Sequence, residues 1–183
     1  MSALARPKTL TEALALRAGG YRVLAGGTDL YPAAGAALRG DFIDLTTLPD
    51  LAGITRTTDL RIGACTTWRD IAEALLPPAM TALQQAALTI GGRQIQNAGT
   101  IGGNLCNASP AADGIPPLLV LDAVVELVSS EGTRRATLEN WLLGARRVDL
   151  RTGEVLSAII IPKAALKGRS AFVKLGADRK SVV

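Results

Sequence analysis

Residues 97–113 carry the densest set of groups able to do chemistry. Gly99, Gly102 and Gly103 stand among Asn97, Asn104 and Asn107, the hydroxyls of Thr100 and Ser109, and the carboxylate of Asp113. Glycine lacks the Cβ that holds a ligand off the main chain, so such a backbone can approach a bound group closely, and Gly103 is expected at positive φ. Successive exposed N–H groups in a turn form a concave nest for anionic oxygens. Asn, Ser and Asp beside the nest add donors and acceptors for hydroxyls. A second glycine turn, Ala25-Gly26-Gly27-Thr28-Asp29, stands well upstream. Two such turns in one small domain point to a dinucleotide gripped from two sides.

Composition narrows the chemistry further. The 183-residue chain has no histidine and two cysteines, Cys65 and Cys106. This removes His-based triads, the common zinc sites and the usual neutral-pH proton shuttle. Any chemistry must come from a cofactor or use carboxylates, lysines and backbone dipoles. The cysteines read as small buried residues. A net charge of +4 is spread over scattered Lys and Arg, and two each of Trp, Tyr and Phe leave little for base stacking, so nucleic acid is not an expected partner. A hydrophobic fraction of 48% with 20% charged residues is the balance of one folded globular unit. Arg6, Pro7, Lys8 and Glu12 interrupt the opening residues, which argues against a signal peptide. No apolar run is long enough to cross a bilayer. The expected location is cytoplasmic, with reduced thiols.

Several elements position these groups. Thr9-Leu10-Thr11-Glu12 reads as a capping box for a helix that Gly19-Gly20 stops. A strand over 21–25 runs into the first glycine turn, and Asp29 then caps a helix from about 30 to 40. Strand, glycine turn and helix start together form an anion site. A strand at 42–45 completes a small α/β lobe over residues 1–52. From 53 onward the pattern changes. Residues 53–57 and 60–63 form a hairpin, Thr67 and Asp70 cap a helix through 75, and a further helix spans 79–88 after Pro77-Pro78. The glycine-rich segment follows, then a helical turn or two at 116–121, a strand at 124–129 and a short helix at 138–143. Strands at 155–161 and 171–175 close the series. Mixed elements without a βαβ rhythm predict an α+β lobe over 53–183.

Neither glycine segment fits the common nucleotide fingerprints. There is no Gly-x-Gly-x-x-Gly opening a helix and no Gly-Lys-Ser/Thr closing a turn. Taken together, Ala25-Gly26-Gly27-Thr28-Asp29-Leu30, Thr100-Ile101-Gly102-Gly103-Asn104-Leu105 and Ala108-Ser109-Pro110-Ala111-Ala112-Asp113 resemble the FAD-binding medium subunits of molybdenum hydroxylases, the xanthine dehydrogenase and carbon monoxide dehydrogenase type. Gly91-Gly92-Arg93-Gln94-Ile95-Gln96-Asn97 and Trp141-Leu142-Leu143-Gly144 extend the likeness over nearly the whole chain.

That resemblance implies a two-lobed α+β FAD-binding domain of the molybdopterin dehydrogenase type, with FAD between the lobes. On matching positions, Val23, Leu24, Ala25, Gly26, Gly27, Thr28 and Asp29 would wrap one side of the pyrophosphate. Thr100, Ile101, Gly102, Gly103 and Asn104 would wrap the other. Asp113 would bond the adenosine end, Ile90 would stand near the flavin, and Val155 would give a backbone contact to it. Lys174 has two readings, a cationic side chain near the isoalloxazine or a solvent-facing strand residue. The implied partners are a molybdopterin-binding large subunit and an iron–sulfur (2Fe–2S) small subunit, with NAD as an acceptor. Related subunits continue into a further α/β domain, so the chain is expected to be a truncated piece, a remnant or a split-gene product whose final residues start another strand. Three roles remain: an electron-transfer flavoprotein component, a non-catalytic nucleotide-binding or docking domain, and an independent flavin oxidoreductase.

Overall fold

Helix α1 (Leu10–Ala18) starts where Thr9 Oγ1 accepts from the Glu12 N–H at 3.2 Å. Glu12 reaches back one residue further than a capping box requires, accepting from the Lys8 N–H at 2.8 Å. The helix packs on a three-stranded parallel sheet of β1 (Leu4–Ala5), β2 (Arg22–Leu24) and β3 (Phe42–Asp44), in the order β1-β3-β2. Parallel strands need crossovers, and α1 and the glycine turn supply them. The computed structural model describes residues 3–35 and 37–175; the strand expected at the chain's end lies outside them.

The second sheet is antiparallel. It contains β4 (Ile54–Arg56), β5 (Leu60–Gly63), β6 (Val124–Ser129), β7 (Gly132–Thr137) and β10 (Val155–Ile161) in the order β4-β5-β10-β6-β7. Every residue of the central strand β10 is buried. Its pairing with β6 slips at Ser157, so Leu156 faces Leu127 while Ala158 faces Glu126. The extra residue changes side-chain parity. Leu156, Ile159 and Ile161 therefore all enter the larger core with Trp68, Leu83, Ile101 and Leu118, where each large aliphatic side chain contributes about 1.5–3 kcal/mol. Val155 instead joins a smaller cluster with Ala13, Leu14, Ile43 and Cys65, which couples the two sheets. Arg17 reinforces that junction by donating from α1 to the Glu154 carbonyl at 3.2 Å.

Helices α3 (Trp68–Glu73), α4 (Thr81–Thr89), α5 (Arg93–Ala98), α6 (Ile101–Asn107) and α7 (Ile115–Val120) join β5 to β6, and all but α5 contribute side chains to the larger core. Thr67 and Asp70 form the expected reciprocal capping box. Several expectations need correction. The helix after the first glycine turn, α2, covers only Leu30–Ala33, and Asp29 makes no capping bond because its own backbone is already helical. Much of the glycine-rich segment is helical, in the end of α5 and the whole of α6, with residues 108–113 left as turns. The helix at 138–143 is the single turn α8 (Leu138–Trp141), followed by the small ribbon β8 (Leu142–Gly144) and β9 (Arg147–Val148). Residues 171–175 form no strand, because their polar groups are turned towards α4 instead. No helix among the described residues is long and apolar enough to cross a membrane.

Candidate functional site

The two glycine segments meet by backbone contact. A Cβ on Gly26 would stand 1.8 Å from the Ala98 carbonyl oxygen, a distance only glycine permits. Gly99 has Thr28 Oγ1 and the Trp68 ring as its next neighbours. Trp68 is buried, and its ring runs from Gly99 to Gly114, where a Cβ would lie 2.4 Å from the far edge of the indole. One aromatic plate thus sets the spacing between the glycine segment and the Asp113 turn. Nothing in the sequence pattern singled out Trp68; the only signal was its place just after a capping threonine.

Hydrogen-bond accounting separates the two segments. Gly102 donates to Ala64 O at 2.8 Å, Ile101 to Thr66 O at 3.0 Å, Gly103 to Thr100 Oγ1 at 3.1 Å and Asn104 to Thr100 O at 3.0 Å. The first turn of α6 therefore has no free N–H, which overturns the expected nest there. Gly102 is glycine for a packing reason, since a Cβ would sit 2.6 Å from Ala64 O. Gly103 is not at positive φ as expected, and a Cβ there would meet only Thr100 Oγ1. The upstream turn has the opposite character. The N–H groups of Gly26, Gly27, Thr28 and Asp29 meet no acceptor among the described residues, and Gly27 holds φ +69°. Gly27 also packs against the Tyr31 ring. Four adjacent unpaired donors make a nest for oxyanions.

On α6, Asn104 Oδ1 is buried without a hydrogen-bond partner among the described residues. A buried acceptor of this kind is costly unless a ligand satisfies it. It lies 3.0 Å from the Cβ direction of Gly114, next to Asp113. Asp113 Oδ2 accepts from Lys174 Nζ at 2.7 Å and from Thr89 Oγ1 at 3.4 Å. Ile90, half-buried against the larger core, follows Thr89 at the end of α4. Val23 and Ala25 are half-buried and Leu24 is buried, all leading into the turn. The structure therefore brings together Gly26 to Thr28, Ala98 to Asn104 and Gly114, and separately Asp113, Thr89 and Lys174. The Val155 side chain is enclosed in the smaller cluster, against which Val23 also packs.

Charged pairs brace the scaffold behind the site. Glu154 is buried, and the Arg134 guanidinium holds it by two bonds of 2.6 and 2.8 Å. That pairing keeps its carboxyl below the usual carboxylate range, against the opposing effect of burial. Burial would raise Glu126, but bonds from Arg135 and Ser157 with the Arg61 charge outweigh it and hold the carboxyl low. Burial pushes the thiols of Cys65 and Cys106 up to about 12. Such thiols are held protonated, the weakly nucleophilic form, at neutral pH.

The donor set suits a group with phosphate oxygens and hydroxyls: unpaired N–H groups on one strand-to-helix turn, an orphaned amide oxygen on α6 and a carboxylate on the following turn. The comparisons agree. Residues 1–164 match the FAD binding domain in molybdopterin dehydrogenase. The xanthine dehydrogenase FAD-binding subunit of Escherichia coli O157:H7 is 36% identical over 166 residues, which cover 86% of this chain and 56% of that one. The nicotinate dehydrogenase FAD-subunit of Eubacterium barkeri is 37% identical over 188 residues, covering 96% of this chain and 63% of that one. CO dehydrogenase from Oligotropha carboxidovorans superposes with a TM-score of 0.78 at 33% identity, over 88% of this chain and 59% of that one. The chain thus spans less than two thirds of the length of these relatives. With its two glycine segments in this order on this fold, the chain belongs to the family of FAD-binding domains of molybdopterin dehydrogenases.

Proposed function

We propose that this chain is the flavin-holding component of a molybdenum hydroxylase, taking electrons from iron–sulfur clusters on a small partner subunit and passing them to NAD or another acceptor. The four unpaired N–H groups of Gly26 to Asp29, held against the end of α5 by the Gly26–Ala98 contact, carry this reading. FAD, when bound, would collect single electrons from such clusters and hand two on to an acceptor such as NAD.

The chain's own residues bind and orient. Gly26, Gly27, Thr28 and Asp29 would donate to the pyrophosphate oxygens, and Val23, Leu24 and Ala25 fix the strand that presents them. Thr100, Ile101 and Gly102 hold the start of α6, Gly103 leaves space above it, and the Asn104 carboxamide would meet a ligand donor. Ile90 would shield an apolar face of the cofactor from water. Val155 would give the cofactor a backbone contact while its side chain fixes the junction of lobe 1–52 with lobe 53–183. The molybdopterin-binding large subunit, the 2Fe–2S subunit and a cytoplasmic setting belong to this same proposal.

Anaerobic reduction of the FAD-loaded chain followed by addition of NAD⁺ tests it. The expected result is one flavin per chain, with return of the oxidised absorbance once an acceptor is added. FAD bound at one per chain that no acceptor reoxidises would favour a docking role without turnover. Failure to bind FAD would remove both.

A further inference from the structure

We infer that Trp68 is a positioning residue that couples two separate grips on the cofactor, the N–H groups of Gly26 to Asp29 and the Asn104 carboxamide; this rests on the FAD reading above. Trp68 is 2% exposed. A Cβ on Gly99 would lie 3.3 Å from Trp68 Cδ1 and 3.5 Å from Thr28 Oγ1, and Gly99 Cα stands 3.0 Å from the Cβ direction of Gly26. The near edge of the indole therefore meets the backbone that seats the first grip. At the far edge, a Cβ on Gly114 would lie 2.4 Å from Trp68 Cη2 and 3.0 Å from Asn104 Oδ1. A single ring thus reaches from one grip to the other. Close-packed interiors transmit strain, so moving one edge of the ring moves what lies against the other.

The ring is fixed along this line because α3 is held at both ends. Trp68 opens the helix behind the Thr67–Asp70 capping box, and its own N–H donates to Gly99 O at 3.1 Å. Beyond the last turn, Gln84 Nε2 on α4 donates to Ile71 O at 3.0 Å, Ala72 O at 3.3 Å and Ala74 O at 2.9 Å. The two grips differ in chemistry. Gly26 to Asp29 offer donors, which phosphate oxygens satisfy, whereas Asn104 Oδ1 needs a hydroxyl or N–H. A ligand that carries both at the separation set by the indole gains from both at once, and loses that gain when the geometry forbids simultaneous engagement.

The test titrates FAD into the full chain and into Trp68→Phe, Asn104→Ala and Gly27→Val, singly and in pairs. Trp68→Phe removes the far edge of the ring and Asn104→Ala removes the second grip, so each should weaken FAD about tenfold, as for a lost buried hydrogen bond. The pair should be no weaker than either alone, because coupled sites are non-additive. Gly27→Val, which acts on the first grip, should cost as much in Trp68→Phe as in the wild-type chain. Gly114→Ala, which crowds the same ring edge, should cost less in Trp68→Phe than in wild type, and it replaces Trp68→Phe in the cycle with Asn104→Ala if that variant does not fold. Full additivity of Trp68→Phe with Asn104→Ala would overturn the coupling. So would loss of both the Asn104→Ala and the Gly27→Val effects in the Trp68→Phe chain, since that outcome means general loosening of the core. A wild-type chain that binds no FAD would overturn the FAD reading itself, whereas these outcomes in a chain that binds FAD overturn only the role of Trp68.

Discussion

Gly26 lies so close to the Ala98 carbonyl that a single methyl group would stand 1.8 Å from its oxygen. The upstream turn and the end of α5 therefore share one surface, although 72 positions separate them in the chain. This contact, and not a free helix terminus, holds the unpaired donors of Gly26 to Asp29 in a fixed place.

Gly26→Ala should push the two segments apart. Overpacking against backbone costs about 1–3 kcal/mol, so both the melting temperature and the flavin content should fall. An unchanged thermal melt would show that the contact is looser than described.

Gly103→Val should separate binding from stability. The Cβ direction is open apart from Thr100 Oγ1, and φ is not positive. Valine is slightly better than glycine inside a helix, so the apo chain should melt at or just above the wild-type temperature. A branched side chain facing the site should nevertheless reduce FAD affinity at least about tenfold, the loss expected when a ligand contact is blocked. Full flavin content in this variant would place the ligand elsewhere.

Glu154→Gln tests the Arg134 brace through pH. The folded carboxyl titrates below its ordinary value, so the native state binds fewer protons than the unfolded chain across that interval. Its stabilising effect is fully present above the unfolded pKa of about 4.3 and is lost as pH falls through the lowered folded value. At pH 7 the glutamine variant should be less stable by about 1.5–3 kcal/mol, the range for hydrogen bonds to charged groups. Denaturant titrations of the two chains should converge in acid; a pH-independent gap would assign the loss to packing.

Cys65 and Cys106, with thiols pushed up to about 12 by burial, should resist iodoacetamide at pH 8 in the native chain and react in denaturant. Mass spectrometry counts the adducts. Rapid labelling of native protein would mean that the smaller cluster or α6 opens readily.

Local chemistry made much of this chain legible. The Thr67–Asp70 box, the 53–63 hairpin, the buried run 155–161 and both glycine segments follow from short-range rules of capping, turn formation and alternation. Other features depended on residues far apart in sequence. The 97–113 segment reads as a loop because glycine is a poor helix former, yet helix α6 forms because residues 64–66 take its first N–H groups and Thr100 caps Gly103. Residues 171–175 have the alternation of a strand, but α4 and Asp113 take their polar groups.

The sequence by itself carried the family's motifs in order and, having no histidine, pointed to glycine-rich backbone as the candidate site. Only the tertiary structure decided which N–H groups remain free, that Trp68 sets the spacing of the site, and that Lys174 meets Asp113. The physical reason is that a donor's availability depends on every acceptor within about 3 Å, and those acceptors come from parts of the chain that no local pattern connects.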